Sequence, residues 1–303
     1  MALTVNTNMS SMIVQRNLAT ATSSLNAAIE RMTTGYKINH ARDNAAGYSI
    51  ATDWTTKLGS IDVASQNAAM GLDLLQTAEE NYGLITSHLQ RVRDLTEQAA
   101  NGTYGSSSLT AIREEIQARL DEIDRISNSA EYNDVNLMSG NGTEVVLQIG
   151  ITSDTDNSQI SLVAGLFKGA TGITLIKRST GAAATANKDI AQDCTGVSVD
   201  GSGVATYTAA DNKADLMLDK IDDALTDISG RVTKIGAAQN RLESAIETLS
   251  TQSQNVTSSL STLKDADVAA ESSSYIRAQI LQQASATLLS TANQLPSVAL
   301  NLL

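Results

Sequence analysis

The chain has 303 residues, with 21 lysines and arginines against 33 aspartates and glutamates, a formal charge of −12. That acidity argues against nucleic acid, whose affinity needs basic contacts to phosphate, and against an anionic membrane surface. Aromatic residues are 3% of the chain and the one proline is Pro296, so Ala, Leu, Ile and Val must form the core, in long helices that almost nothing interrupts.

The lone cysteine, Cys194, excludes an internal disulfide and a multi-cysteine metal site. His40 and His88 lie in different segments, without cysteine or carboxylate at ligand spacing, so no metal, cofactor or catalytic constellation is expected. The opening Met1-Ala-Leu-Thr-Val-Asn6 lacks the basic and apolar regions of a secretory signal peptide. No apolar run approaches the roughly 18 residues of a membrane span. Export would take another route.

In chain order, Val14, Leu18, Ala21, Leu25, Ala28 and Met32 form a short heptad seam. The same alternation of three and four residues resumes at Ile61. It runs through Ala64, Ala68, Gly71, Leu75, Ala78, Tyr82, Ile85, Leu89, Val92 and Thr96 to Ala99, and Asn101-Gly102 then stops the helix. Beyond the Gly/Ser-rich 105–108, Leu109, Ile112, Ile116, Leu120, Ile123 and Ile126 predict a second amphipathic helix. Residues 144–150 and 158–162 are β-prone runs separated by the turn-forming 153–157, which predicts a β-hairpin. Residues 165–206 are rich in Gly, Ala, Thr, Ser and Asp, which suggests a small, exposed, β-rich or irregular outer module.

The return leg is the most regular. Leu218, Ile221, Leu225, Ile228, Val232, Ile235, Gln239, Leu242, Ile246, Leu249, Ser253, Val256, Leu260 and Leu263 make a continuous seam, which requires a partner helix. Gln239 and Ser253 interrupt it. They fix register, or they mark where the partner helix diverges. Leu281, Ala284, Leu288, Thr291 and Leu295 make a last short seam, and residues 268–303 carry Glu271 and Arg277 as their only charges. A helix with almost no charged face is expected to be buried on nearly all sides, which needs an assembly. The fold class is therefore mainly α: long antiparallel coiled-coil helices from both chain ends, with a β-hairpin and a small outer module. The division expected is 1–42 with 268–303 as an inner terminal domain, 43–164 with 207–267 as a helical core, and 165–206 as the variable module.

Several motifs carry a resemblance. Leu25-Asn-Ala-Ala-Ile-Glu-Arg-Met-Thr-Thr-Gly-Tyr-Lys-Ile-Asn39, Asp43-Asn-Ala-Ala-Gly-Tyr-Ser-Ile-Ala51, Leu89-Gln-Arg-Val-Arg-Asp-Leu-Thr-Glu-Gln-Ala-Ala-Asn-Gly-Thr103 and the run Gln279–Pro296 resemble bacterial flagellin, the subunit of the flagellar filament. The resemblance covers about 1–160 and 207–303. It implies a structural subunit that polymerises with copies of itself into a helical, extracellular filament for swimming. It implies terminal helices, with Leu18, Leu25, Met32, Leu281, Leu288 and Leu295, that line the inside of the filament. It also implies delivery through a type-III-like export apparatus with a C-terminal-binding chaperone, contact with filament cap and junction proteins, and recognition of the monomer by the vertebrate Toll-like receptor for flagellin. Carried over by motif, the receptor residues are Arg91, Leu95 and Glu115, with Leu95 on an exposed face beside Arg91. A hook–filament junction protein or another coiled-coil adaptor with similar ends is the alternative. No enzyme activity is implied.

Overall fold

The computed structural model describes residues 8–138, 145–152, 158–162, 170, 187–199, 205–207 and 214–300, and for 187–188, 198–199, 205, 207 and 295–300 the backbone only. The elements in order are α1 (Met9–Thr34), α2 (Ala45–Ala100), α3 (Ser106–Ser129), β1 (Glu131–Tyr132), β2 (Val135–Asn136), β3 (Val145–Gln148), β4 (Gln159–Leu162), α4 (Asn187–Thr195), β5 (Val197–Val199), β6 (Ala205–Tyr207), α5 (Ala214–Lys264) and α6 (Val268–Leu300). The mainly α class read from the sequence is the class observed. At 1.5 Å per residue the 56 residues of α2 span about 84 Å. The chain divides into two compact units, Met1–Ser60 with Gln252–Leu303, and Ile61–Thr251. These boundaries fall inside α2 and α5, away from the division expected from composition. A continuous helix passes from one packing environment to the next without a loop to mark the change.

The first unit is built on α1 and α6, which run antiparallel. Asn8 caps α1, its Oδ1 accepting from Ser11 N at 3.1 Å. Gly35 ends the helix in the left-handed conformation at φ 74°, its N–H reaching Arg31 O. Lys37 N donates to Lys264 O and Ala266 N to Gly35 O, both at 2.8 Å, which ties the two connections together. Asp267 Oδ1 then accepts from Ala269 N and Ala270 N and starts α6. The line where the helices meet is small: Ala21 and Ala28 on α1, and Ala278, Ser285 and Ala292, each seven apart, on α6. Small side chains let α1 and α6 approach to within 8 Å between Cα atoms.

This corrects the expected C-terminal seam. Leu281 and Leu288 are 52% and 56% exposed, and Ala284 and Thr291 are exposed with them. The true seam lies round the helix from that stripe, because close approach selects alanine and serine over leucine. On α1, Val14, Leu18 and Leu25 are half-buried and Met32 is exposed. The side chain of Leu295 lies outside the described residues.

In the second unit α2, α3 and α5 share one buried cluster. Every residue of the spacing from Ile61 to Ala99 is buried, including Leu75, Ile85, Leu89 and Val92, and so is every apolar residue of the α3 spacing. On α5 the heptad line Ile221, Ile228, Ile235, Leu242 and Leu249 is buried. The intervening positions differ from expectation: Met217, Ala224 and Arg231 are buried, while Leu225, Val232 and Ile246 are half-buried at the edge of the cluster. A seam shared with more than one partner widens on one side, and a two-helix heptad cannot say which.

The β1–β2 hairpin turns on Asn133 and Asp134, both with positive φ (48° and 64°), as a type I′ turn requires. The expected hairpin is β3 paired antiparallel with β4; its turn at 153–157 lies outside the described residues. Strand β3 lies on α2, where Asn67 Nδ2 donates to Gln148 O at 3.0 Å. Gly71 makes room for it, since a Cβ there would stand 2.3 Å from Leu147 Cδ1. Of the expected outer module, residues 165–169, 171–186 and 200–204 lie outside the described ones. The rest is not a free-standing surface: α4 packs on α3, with Ile190, Ala191, Cys194 and Val197 in the common core.

Candidate assembly surfaces

The α1–α6 pair buries Ala21, Ala28, Ala278 and Ala292 and leaves many of its large apolar residues exposed. Met9, Met12, Ile13, Ile29 and Met32 lie open on α1, and Ile276, Ile280, Leu281 and Leu288 on α6. Ile280 is 59% exposed. Burial of such side chains is worth about 1.5–3 kcal/mol each, so this surface favours a neighbouring apolar surface. One ion pair, Arg31 with Glu271 at 3.2 Å, fixes the register near the joint.

At the other end of the pair Pro296, inside α6, has no N–H to give to Ala292 O. Asn8 Nδ2 donates to that oxygen instead at 2.7 Å. The residue that caps α1 therefore also satisfies the carbonyl that the proline leaves free. Nothing in local spacing links Asn8 to Ala292, 284 residues away.

On the second unit, α2 and α3 present a charged strip. Arg91 Nε donates to Glu115 Oε1 at 2.9 Å, and Arg119 stands 3.7 Å from the same oxygen. Arg119 also faces His88 Nδ1 at 3.4 Å. The hydrogen bond from Arg91 holds the Glu115 carboxyl below its usual range, and the same bond raises the Arg91 guanidinium. The Arg91 side chain is 46% exposed. Leu95, expected beside it on the surface, is only 2% exposed. Leu95 follows Val92 and precedes Thr96, both buried, and one turn of helix brings it into the α2–α3 side of the core. Of the three receptor residues named from the motif, the structure brings Arg91 and Glu115 together at the surface and puts Leu95 beneath it.

Polar contacts across α2 and α5 set their antiparallel register. Gln239 Nε2 donates to Glu79 Oε2 at 2.8 Å, and Arg93 bonds Asp222 at 2.7 Å. Gln239 thus sits at the edge of the seam with a partner on the facing helix. Between these pairs Arg231 is buried, 2.6 Å from Asp227 and 3.4 Å from the Tyr82 hydroxyl, with its guanidinium 5.9 Å from the Tyr82 ring centre. Burial raises the Tyr82 hydroxyl pKa. Arg231 is absent from the residues expected in the seam; its signal in the sequence is its place seven residues after Ala224 on the other flank of the Ile228–Ile235 line. Cys194 is fully buried, and desolvation pushes its thiol up to about 12, which leaves it unreactive as a nucleophile. Among the described residues no group of three His, Cys, Asp or Glu side chains is placed to hold a metal. No helix there is long and apolar enough to cross a membrane.

Comparison with known proteins accounts for this arrangement. The model of the bacterial flagellin N-terminal helical region matches residues 5–143, and that of the C-terminal helical region matches 218–303. The flagellin of Xenorhabdus nematophila is 36% identical over 315 aligned residues, covering 100% of both chains. That of Bacillus subtilis (strain 168) is 34% identical, with 99% of each covered. A solved flagellar hook-associated protein from Vibrio parahaemolyticus aligns with 74% of this chain and all of its own, at a TM-score of 0.58 and 14% identity; that likeness is one of fold alone. Two helical regions from opposite chain ends, each matched by its family model, and two relatives aligned along essentially their whole length show that the chain belongs to the bacterial flagellin family, the structural subunits of the flagellar filament.

Proposed function

We propose that this chain polymerises into an extracellular filament through the α1–α6 pair, whose exposed apolar side chains are covered by neighbouring copies. One observation carries this reading: Ile276, Ile280, Leu281 and Leu288 lie open on a helix that has almost no charge to solvate it. Leu18, Leu25 and Met32 contribute the matching face of α1. Export would proceed through a type-III-like apparatus with a chaperone on the C-terminal segment, and the filament would end on cap and junction proteins. Removal of residues 268–303 is expected to abolish polymerisation while the Ile61–Thr251 unit keeps its helices. Sedimentation, negative-stain microscopy and circular dichroism of the truncated chain test this. Filaments of normal length from the truncation would refute it, and short caps from the intact chain would favour a hook–filament junction protein.

A second proposal is recognition of the monomer by the vertebrate Toll-like receptor for flagellin. It rests on Arg91 and Glu115, which are exposed and paired; Leu95 supports the strip from below. Arg91→Ala is expected to weaken binding of the monomer to the purified receptor ectodomain by about tenfold, or about 1.4 kcal/mol. Equal affinity of the two proteins would remove Arg91 from the contact.

A further inference from the structure

The short connection between α2 and α3 is exposed and begins Asn101-Gly102-Thr103. Three features of it bear on the chemistry of the Asn101 side-chain amide. The Gly102 N–H makes no hydrogen bond among those of the turn, whereas Asn101 N bonds Gln98 O and Tyr104 N bonds Asn101 O. A Cβ built on Gly102 would meet nothing within 4 Å beyond its chain neighbours, so no other part of the fold crowds the turn there. Thr103 N donates to Asn101 Oδ1 at 3.2 Å, which withdraws electrons from the amide carbon and supports negative charge on that oxygen.

Other asparagines differ in these respects. After Asn39, His40 N is engaged by Asp43 Oδ2, and Asn39 Nδ2 itself bonds Tyr36 O. After Asn136, Leu137 N is engaged by Ala130 O. Asn67 and Asn81 sit within α2, where the following N–H is held in the helix.

We infer that Asn101-Gly102 is a site of self-catalysed deamidation. The Gly102 nitrogen gives its proton to water or hydroxide and attacks Asn101 Cγ; a C–N bond forms, water returns a proton to Nδ2, the Cγ–Nδ2 bond breaks and ammonia leaves. Water then opens the five-membered imide at either carbonyl and leaves an aspartyl or an isoaspartyl residue at position 101. The sum is hydrolysis of an amide, with water as the only co-reactant and no change of oxidation state. The new carboxylate lies one residue beyond the end of α2, beside the unsatisfied carbonyls and negative end of that helix, and the isoaspartyl product lengthens the α2–α3 connection by one methylene. Both changes loosen the last turn of α2. The conversion is irreversible in the isolated protein, so the modified fraction records the age of the chain.

The test is incubation of the full-length chain at mildly alkaline pH, followed by peptide mapping by mass and by methylation with an isoaspartyl methyltransferase. A synthetic peptide spanning 98–106 and the variant Gly102→Ala are run in parallel. Gly102 is not in the left-handed region and has space for a Cβ, so that variant keeps the fold. Position 101 is expected to convert in the intact chain about as fast as in the free peptide, with isoaspartyl product present. Gly102→Ala is expected to slow it by about tenfold or more, as steric hindrance at the attacking nitrogen raises the barrier. Mapping separates this peptide from that of Asn141-Gly142. Retention of the amide in the folded chain while the peptide converts would overturn the inference. So would equal rates for Gly102→Ala, or conversion to the aspartyl form alone.

Discussion

Ile116, Leu120 and Ile123 on α3 are fully buried, while Ile276, Ile280, Leu281 and Leu288 on α6 are more than half exposed. Both sets stand on long helices with heptad-like spacing, so periodicity does not separate them. The difference lies in what fills the contact. In the Ile61–Thr251 unit, α2, α3 and α5 rarely bring Cα atoms within 8 Å of each other, and Ile, Leu and Val fill the space between them. Between α1 and α6 in the other unit, alanine and serine form the contact, the helices close up, and no large side chain is fully buried along that line. One core is completed by the chain itself; the other presents its hydrophobic residues to whatever packs against it. The lesson is that charge content, more than period, distinguishes a helix whose outer face meets water from one whose outer face meets another helix.

The comparison can be broken most forcefully at Leu242, which is fully buried on α5. Leu242→Asp puts an unpaired charge into the closed core and is expected to abolish cooperative folding of that unit; Leu242→Ala should cost roughly 2–5 kcal/mol. Thermal melts followed by circular dichroism measure both, and an unchanged melting temperature for the aspartate variant would show that the core does not depend on this seam. A much smaller effect on monomer stability, within about 0.5 kcal/mol, is expected for Leu281→Ser combined with Leu288→Ser, since both side chains are already in water. The same double variant should polymerise poorly. If it melts several degrees lower as a monomer, these leucines have a partner within the chain. The smallest effect concerns pH. Glu115 has a folded pKa below its unfolded value because Arg91 donates to it, so its contribution is present above the unfolded pKa and is lost as pH falls through the folded one. The pair is exposed and screened by salt, so Arg91→Ala should only slightly flatten the fall in stability below the ordinary glutamate range. Acid denaturation curves of the two proteins at low ionic strength sharpen this, and superimposable curves would show that the strip adds nothing to stability.

Much of this was legible from residues alone. The spacing from Ile61 to Ala99 and from Leu109 to Ile126 gave helices and buried faces together, because on a single amphipathic helix the apolar stripe has one place to go. The motifs around Leu25–Asn39 and Gln279–Pro296 gave the family. Leu95 was less legible: it lies three residues from Val92 and beside Thr96, and a two-stranded reading leaves it outside, whereas a third helix covers it. Arg231 was illegible for the same reason, since a cation at a core position is tolerated only where Asp227 and Tyr82 receive it.

The sequence by itself determined that the chain is helical, that its long helices need partners, and that its ends carry too little charge to face water on all sides. Those properties follow from local order: side-chain period, composition and the scarcity of proline. The tertiary structure decided which flank of each seam is inside. Ala278, Ser285 and Ala292 were chosen over Leu281 and Leu288, and Met217 and Ala224 over Leu225 and Val232, because the facing helix sets the distance to be filled and that distance is not a property of either helix alone.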